Sequence, residues 1–158
     1  MSEVRNDGEA EDLLRLDQQL CFPIYAATNL IQRLYRPLLE PLGLTYSQYL
    51  AMLVLWEQEP VTVGQLQSCL HLDVGTLSPL LKRMEREGLV TRTRDANDER
   101  RVLIGLTASG KALREAAQQI PLALAERVGA DPAELDQLRG LTRSLVGRLI
   151  QAVPSRTT

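Results

Sequence analysis

The sequence has few aromatic residues and no excess of positive charge. Its 158 residues include one Phe and one Trp, and the formal net charge is −2. Because 44% of the residues are hydrophobic and Leu and Ala are common among them, we expect a mainly helical core. The charge excludes a polycation, so a nucleic-acid surface would have to be a local patch. The first twenty residues carry six acidic and two basic side chains, which excludes a basic arm at this end.

The sequence also lacks a long apolar run and a secretory signal. Its longest uninterrupted apolar stretch, residues 50–56, is far too short to span a bilayer. We therefore expect a cytoplasmic protein with no membrane partner, in which Cys21 and Cys69 are free thiols. The one histidine, His71, has no set of further ligands at metal spacing, and no glycine-rich phosphate loop or hydrolase triad is present. We expect neither a metal nor another cofactor.

Proline, glycine and capping residues divide the sequence into four segments. Residues 1–12 form a polar lead that we predict to be flexible. Residues 13–44 predict an N-terminal dimerisation helix that begins near residues 19–22, and residues 45–107 predict a DNA-binding lobe. Residues 108–153 predict two C-terminal dimerisation helices, the first kinked at Pro121. The expected fold class is mainly α with a small β-hairpin (α+β).

The strongest local signals lie in the third segment, residues 45–107. A capping box at Thr62 starts a short helix, Asp73 caps the next helix, and Gly88 ends it. Two strand patterns follow, between residues 89 and 106, around a polar turn at residues 95–99. This order of elements predicts a winged helix-turn-helix, whose second helix enters the major groove of DNA.

A helix in the major groove needs small or hydroxylated residues at its start and cations further along, and a wing needs basic residues. The candidate DNA-binding residues are Asp73, Gly75, Thr76, Ser78 and Pro79 at the helix start, Lys82, Arg83 and Arg86 further along it, and Arg92, Arg94, Asp98 and Arg100 in the wing. Between residues 82 and 101, seven basic side chains face five acidic ones, a modest net charge of +2. The alternative is therefore a solvated helix and hairpin in an unrelated α+β protein.

The wing contains one pair with a specific expected geometry. We expect Asp98 to brace the guanidinium of Arg100 by a bidentate contact, so that Arg100 reaches a minor groove. The alternative is an ordinary surface salt bridge. Substitution of Arg100 by Ala separates the two, because only the first predicts a loss of DNA affinity with the fold intact.

A set of motifs covers the second helix and the wing. They are the run GTLSPLLKRME at residues 75–85, GLV at residues 88–90, DERR at residues 98–101 and LT at residues 106–107. These motifs resemble the MarR family of winged-helix repressors. The resemblance implies a homodimer whose two recognition helices bind a pseudo-palindromic operator in double-stranded DNA, with the wings in the flanking minor grooves. A stripe of leucines in the last helix also needs a partner, namely Leu135, Leu138, Leu141, Leu145 and Leu149.

Cys21 lies at the predicted start of the N-terminal helix. Free backbone N–H groups and the helix dipole stabilise an anion there, and a thiolate is the nucleophile that a peroxide oxidises to a sulfenic acid. The alternative is a small buried apolar residue beside Leu20 and Phe22. Tyr25 is one turn along. Tyr35, fourteen residues along a straight helix, lies about 21 Å away and would reach Cys21 only across a dimer interface.

Motifs around the tyrosines are more specific. They are LCF at residues 20–22, YRPLL at 35–39, LGLTY at 42–46, QYL at 48–50 and VLWE at 54–57. Together they resemble the organic-hydroperoxide-sensing branch of the MarR family. The resemblance implies that Cys21 is the peroxide sensor and that Tyr35 and Tyr46 hydrogen-bond it across the dimer, with Tyr25 a further candidate. Residues 123–126 contain no resolving cysteine, and we expect Cys69 to be a packing or incidental thiol.

Three functions follow from these patterns. The leading hypothesis is a dimeric repressor that leaves its operator when an organic hydroperoxide oxidises Cys21, and it is not an enzyme. The second keeps the DNA-binding lobe but replaces oxidation by a small aromatic ligand. The third is a thiol peroxidase, although no Cys-x-x-Cys pair is present to support turnover.

Overall fold

The computed structural model describes residues 13–153, which form seven α-helices, two short 3₁₀ helices at Leu16–Gln18 and Glu40–Leu42, and three strands. The helices are α1 Cys21–Leu39, α2 Tyr46–Glu57, α3 Val63–Leu70, α4 Val74–Arg86, α5 Ala108–Ala117, α6 Ile120–Val128 and α7 Pro132–Ala152, and the strands are β1 Val61–Thr62, β2 Val90–Arg94 and β3 Val102–Leu106. The chain divides into two compact units, and the division falls between residues 120 and 121. The predicted flexible lead, residues 1–12, lies outside the described residues.

Side chains cap the starts of α2, α3, α4 and α5. Thr45 and Thr62 each accept a hydrogen bond from the backbone N–H three residues on, and a glutamine side chain returns the second bond of each capping box. Thr107 caps α5 in the same manner, by accepting from the N–H of Gly110 at 3.0 Å. These bonds satisfy amides that have no partner within their own helix. The predicted order of helices in residues 45–107 is confirmed.

The three strands form one antiparallel sheet in the order β1-β3-β2. Strands β2 and β3 make the predicted hairpin, from the pair Val90–Leu106 to the pair Arg94–Val102. The first strand was not predicted. Val61 pairs with Ile104 across more than forty residues, and a two-residue strand has no periodicity of its own to detect.

The core of the first unit lies between α2, α4 and the sheet. Leu55, Leu77, Met84 and Ile104 are all at most 1% exposed. Gly110 marks the closest approach of two backbones, because a Cβ atom there would lie 2.2 Å from the carbonyl oxygen of Leu89. Only glycine fits this position without a shift of the backbone. The helix-turn-helix and its wing are thus held as one packed body.

The predicted kinked helix after Thr107 is wrong in one respect, because the structure has two helices, α5 and α6, separated at residues 118–119. Pro121 accounts for the break: it cannot donate to the carbonyl of Ala117, where α5 ends. The second unit ends in α7, whose N-cap Asp131 accepts from the N–H of Glu134, as predicted. Among residues 13–153, no helix combines the length and apolar character that crossing a membrane requires.

Candidate functional site

Helix α4 is built as an amphipathic helix with one buried face. Its inward side chains, Leu77, Leu80, Leu81 and Met84, are at most 2% exposed. The opposite face is open to solvent and contains most of the predicted DNA-binding residues of this helix, namely Asp73, Gly75, Thr76, Pro79, Lys82, Arg83 and Arg86. A face of this composition can reach base edges and phosphates while the leucines hold the helix in place.

The start of α4 is fixed by Asp73. Its carboxylate accepts from the backbone N–H of Thr76 at 2.8 Å, so this residue is a helix cap as well as a predicted DNA-binding residue. Pro79 lies inside the helix and has no N–H to donate to the carbonyl of Gly75. That carbonyl lacks its usual helical donor, which leaves an acceptor at the solvent-exposed start of the helix.

The wing contributes arginines to a cavity of about 440 Å³ beside α4. Arg92, Arg100 and Arg101 line this cavity together with Ser78 and the start of α3. The Nε atom of Arg92 is buried and has no hydrogen-bond partner among the described residues, and the Nη1 atom of the same guanidinium lies 3.9 Å from a carboxylate oxygen of Glu85. The cavity is therefore electropositive. Arg101 is not among the predicted DNA-binding residues, although it follows Arg100 directly, because only the folded hairpin shows that it lines this cavity.

The predicted brace between Asp98 and Arg100 takes another form. Asp98 accepts from the backbone N–H of Arg100 at 3.1 Å. Among the ion pairs of residues 13–153, none joins the Asp98 carboxylate to the Arg100 guanidinium, so the predicted bidentate contact is wrong for the free chain. In this short polar turn the Asp98 carboxylate is close to the backbone amide of Arg100 and bonds to it instead of the guanidinium. The Arg100 side chain stays exposed and available.

Cys21 is the first residue of α1 and is an exposed free thiol. Its neighbours Leu20 and Phe22 are 67% and 38% exposed. The alternative of a small buried apolar residue is therefore wrong within one chain. Cys69, on α3, is also exposed, which excludes a packing role and leaves an incidental thiol as the prediction. Among the described residues, no group of acidic, histidine and cysteine side chains could hold a metal ion.

A cluster of tyrosines joins α1 to α2. The ring centroid of Tyr35 lies 5.0 Å from that of Tyr46 and 5.5 Å from that of Tyr49. Burial raises the pKa of Tyr35 to about 12, helped by the two neighbouring tyrosines, and burial also raises the pKa of Tyr46 and Tyr49. All three hydroxyls therefore keep their protons at neutral pH and can donate hydrogen bonds.

Tyr49 is a member of this cluster that was not predicted from the sequence. Its ring is 2% exposed and also contacts Trp56, with 6.4 Å between ring centroids. The available signal was its spacing from Tyr46, because residues three apart on a helix share a face.

Tyr25 and Tyr46 share a groove of about 770 Å³ between α1 and the start of α2. Arg33, Arg36 and the backbone around Gly43 also line it, so the groove combines aromatic rings with cationic side chains. Cys21 is not among its lining residues. One chain thus brings Tyr25 and Tyr46 to a common groove, and Tyr35 and Tyr46 into contact, but Cys21 does not line that groove.

Comparison with known proteins agrees with this geometry. The family described as transcriptional regulator SarA/Rot matches residues 33–117. The organic hydroperoxide resistance transcriptional regulator of Bacillus subtilis is 47% identical over 143 residues, which cover 89% of this chain and 95% of that protein. The structure of reduced AbfR bound to DNA has a TM-score of 0.76 and 33% identity, and the match covers 92% of this chain and 99% of that one.

A mutant MarR from Escherichia coli complexed with operator DNA has a TM-score of 0.71 and 26% identity, over 90% of this chain and 99% of that one. The chain belongs to the MarR/SarA-type family of winged-helix transcriptional regulators. The predicted winged helix-turn-helix is thereby confirmed. As a member of this family the protein is a DNA-binding regulator and not an enzyme, so the thiol peroxidase alternative is wrong.

Proposed function

We propose that this protein is a dimeric repressor that leaves its operator when an organic hydroperoxide oxidises Cys21. The observation that carries the proposal is the position of the thiol. Cys21 is exposed at the first turn of α1, and the side chains around it, which include Leu20, Phe22 and Ile24, are apolar and at least 38% exposed. An apolar surround of this kind favours the contact of an organic hydroperoxide with the sulfur over that of hydrogen peroxide.

The chemistry needs one thiolate and one hydroperoxide. The thiolate of Cys21 attacks the terminal peroxide oxygen. An S–O bond forms, the O–O bond breaks, and the organic fragment leaves as an alkoxide that takes a proton to become an alcohol. Cys21 ends as a sulfenic acid, the cysteine being oxidised and the peroxide reduced.

A second copy of the chain would complete the sensor. Tyr35 lies on the same helix as Cys21 but about 21 Å along it, so the two side chains of one chain do not meet. Exposed apolar residues along α1, among them Leu30 and Ile31, give a surface for a second copy to cover. The proposed contacts run from Cys21 to the tyrosines of the partner subunit, where neutral hydroxyls would donate to the thiolate.

Release then follows from a change at the interface. Oxidation converts the Cys21 thiolate, which would accept hydrogen bonds from the tyrosine hydroxyls, into a larger sulfenic acid. The lost hydrogen bonds and the added volume would reorient the paired α1 helices. The two α4 helices would lose the spacing that a pseudo-palindromic operator requires. To shift the protein from mostly DNA-bound to mostly free, oxidation must change the free energy of DNA binding by about 5.5 kcal/mol. A rearranged buried interface can supply a change of this size.

The groove at Tyr25 and Tyr46 favours a second candidate, a repressor released by a small aromatic ligand. Its rings can stack on an aromatic ligand, and Arg33 and Arg36 can pair with a carboxylate on it. This candidate does not need the thiol. A Cys21→Ser variant would still release DNA on addition of the ligand.

The test is binding of the reduced protein to a labelled fragment of its own upstream DNA, before and after one equivalent of cumene hydroperoxide. Cys69→Ser is the matched control for Cys21→Ser, because both thiols are exposed. We expect release from the wild type and from Cys69→Ser, and continued binding by Cys21→Ser. Release from Cys21→Ser would contradict the proposal.

A further inference from the structure

We infer that Gln48 is a positioning residue that couples the tyrosine cluster to the recognition helix α4, through a hydrogen bond to Glu87. This inference rests on the proposed function, because it concerns how oxidation reaches the DNA-binding face. Gln48 lies on α2, two residues after Tyr46 and one before Tyr49, and it is 2% exposed. Its side chain is one of the two buried polar side chains of the described core.

The oxygen and the nitrogen of the Gln48 side-chain amide each make one hydrogen bond. Its Oε1 accepts from the backbone N–H of Thr45 at 2.8 Å, which closes the capping box at the start of α2. Its Nε2 donates to a carboxylate oxygen of Glu87 at 2.6 Å, across 39 residues of sequence. One rigid group therefore connects the first turn of α2, which carries Tyr46, to the end of α4.

The position of Glu87 supports a specific role. It is the C-cap of α4, where the negative end of the helix dipole disfavours a carboxylate. The last turn of α4 also holds Arg83 and Arg86, the cations expected at a helix end. An acidic residue in this place is explained by its bond to Gln48, since a hydrogen bond from a buried amide to a charged acceptor is among the stronger ones.

Glu87 also adjoins the base of the wing. Gly88 follows it in the left-handed conformation, with φ +70°, and the hydroxyl of Thr107 donates to the Gly88 carbonyl at 2.6 Å. A shift of Tyr46 would move the capping turn of α2, and with it Gln48 and Glu87. The movement would tilt α4 at its C-terminal end, where the wing begins, rather than at its DNA-facing start.

The experiment compares Glu87→Ala with Glu87→Gln, which keeps an amide oxygen as an acceptor, and with Glu115→Ala, an exposed glutamate on α5, as the control for the loss of one negative charge. Glu87 is exposed, so these variants leave the core intact. For each protein we would measure the dissociation constant for the upstream DNA, reduced and after one equivalent of cumene hydroperoxide. The rate of sulfenic acid formation at Cys21 is measured in parallel by mass spectrometry.

We expect the ratio of oxidised to reduced dissociation constants to fall by about tenfold in Glu87→Ala, the size of one hydrogen bond to a charged group. Glu87→Gln and Glu115→Ala should keep the wild-type ratio, and all four proteins should oxidise at the same rate. An unchanged ratio in Glu87→Ala, or equal weakening of both states, would overturn the role of Gln48 and Glu87. A wild type that peroxide does not release would instead overturn the proposed function itself.

Discussion

The DNA-binding lobe and the sensor helix differ in how complete they are within one chain. In the lobe, every leucine on the inner face of α4 is buried, and side chains of the same lobe cap its helices. In α1, Leu39 is the one buried residue, and Leu20, Tyr25 and Leu30 are more than half exposed. The lobe is therefore stabilised by its own contacts, whereas the sensor helix presents a surface that a second copy would complete.

Because of this difference, we expect the two regions to respond differently to protein concentration and to oxidation. The lobe should keep its structure at any protein concentration, since its core is internal. The reactivity of Cys21 and the solvent exposure of the leucines of α7 should change with dimerisation. Substitutions made separately in each region therefore test this difference.

The largest effect is expected from the core of the lobe. Leu81 is 1% exposed, and Leu81→Ala should lower the free energy of unfolding by about 2–5 kcal/mol because it leaves a cavity. Leu141 on α7 is 63% exposed and is the matched control. In urea unfolding at several protein concentrations, Leu141→Ala should weaken only the part of the stability that depends on concentration. A loss of stability in Leu141→Ala that does not depend on protein concentration would contradict this difference between the two regions.

A pair of glycine substitutions tests the same contrast on the backbone. Gly110→Ala should destabilise the protein by about 1–3 kcal/mol, because its Cβ would overlap the carbonyl oxygen of Leu89. Gly147 on α7 has no atom within 4 Å of the corresponding position. Gly147→Ala should therefore stabilise α7 by up to about 1 kcal/mol. Thermal unfolding of the two variants measures both, and equal destabilisation would show that a second copy packs against Gly147.

A smaller effect is expected on the wing. Arg100→Ala should weaken DNA binding several-fold at fixed salt and leave the melting temperature unchanged, because this side chain is exposed. Arg143→Ala, an exposed arginine on α7, controls for the loss of one positive charge. Fluorescence anisotropy with labelled upstream DNA measures both. Equal dissociation constants for wild type and Arg100→Ala would remove the wing arginine from the DNA interface.

The smallest effect concerns the tyrosine cluster at alkaline pH. The pKa of Tyr35 is raised from 10.0 to about 12 in the folded chain. Between these two values the unfolded chain loses this proton and the folded chain keeps it, so the free energy of unfolding should fall as pH rises through this window. Tyr35→Phe should make the fall shallower than Tyr25→Phe does, since Tyr25 is an exposed tyrosine on the same helix. Identical pH profiles would argue against burial of the Tyr35 hydroxyl.

Local signals explain what the sequence predicts about the fold. Thr45, Thr62, Asp73 and Thr107 each cap a helix through a partner three residues away, so the start of each helix is visible in a short window. The break before α6 is less visible, because a proline within an apolar periodic pattern permits either a kink or a new helix.

The remaining features depend on contacts between distant residues. The bond from Gln48 to Glu87 spans 39 residues, and the local pattern predicts only the capping role of Gln48 and not this partner. The pairing of β1 with β3 and the cavity of Arg92, Arg100 and Arg101 likewise appear only once the chain has folded. For the candidate site, the types of residue were predictable from sequence, but their neighbours were not.

The most direct test of the central claim follows the oxidation of Cys21 and the release of DNA in the same sample. Reduced protein bound to labelled upstream DNA is titrated with substoichiometric cumene hydroperoxide. Anisotropy gives the fraction released, and intact-protein and peptide mass spectrometry give the fraction of Cys21 that has gained one oxygen. We predict that the two fractions rise together, before any oxidation of Cys69. Release without oxygen on Cys21, or full oxidation of Cys21 with DNA still bound, would contradict the account.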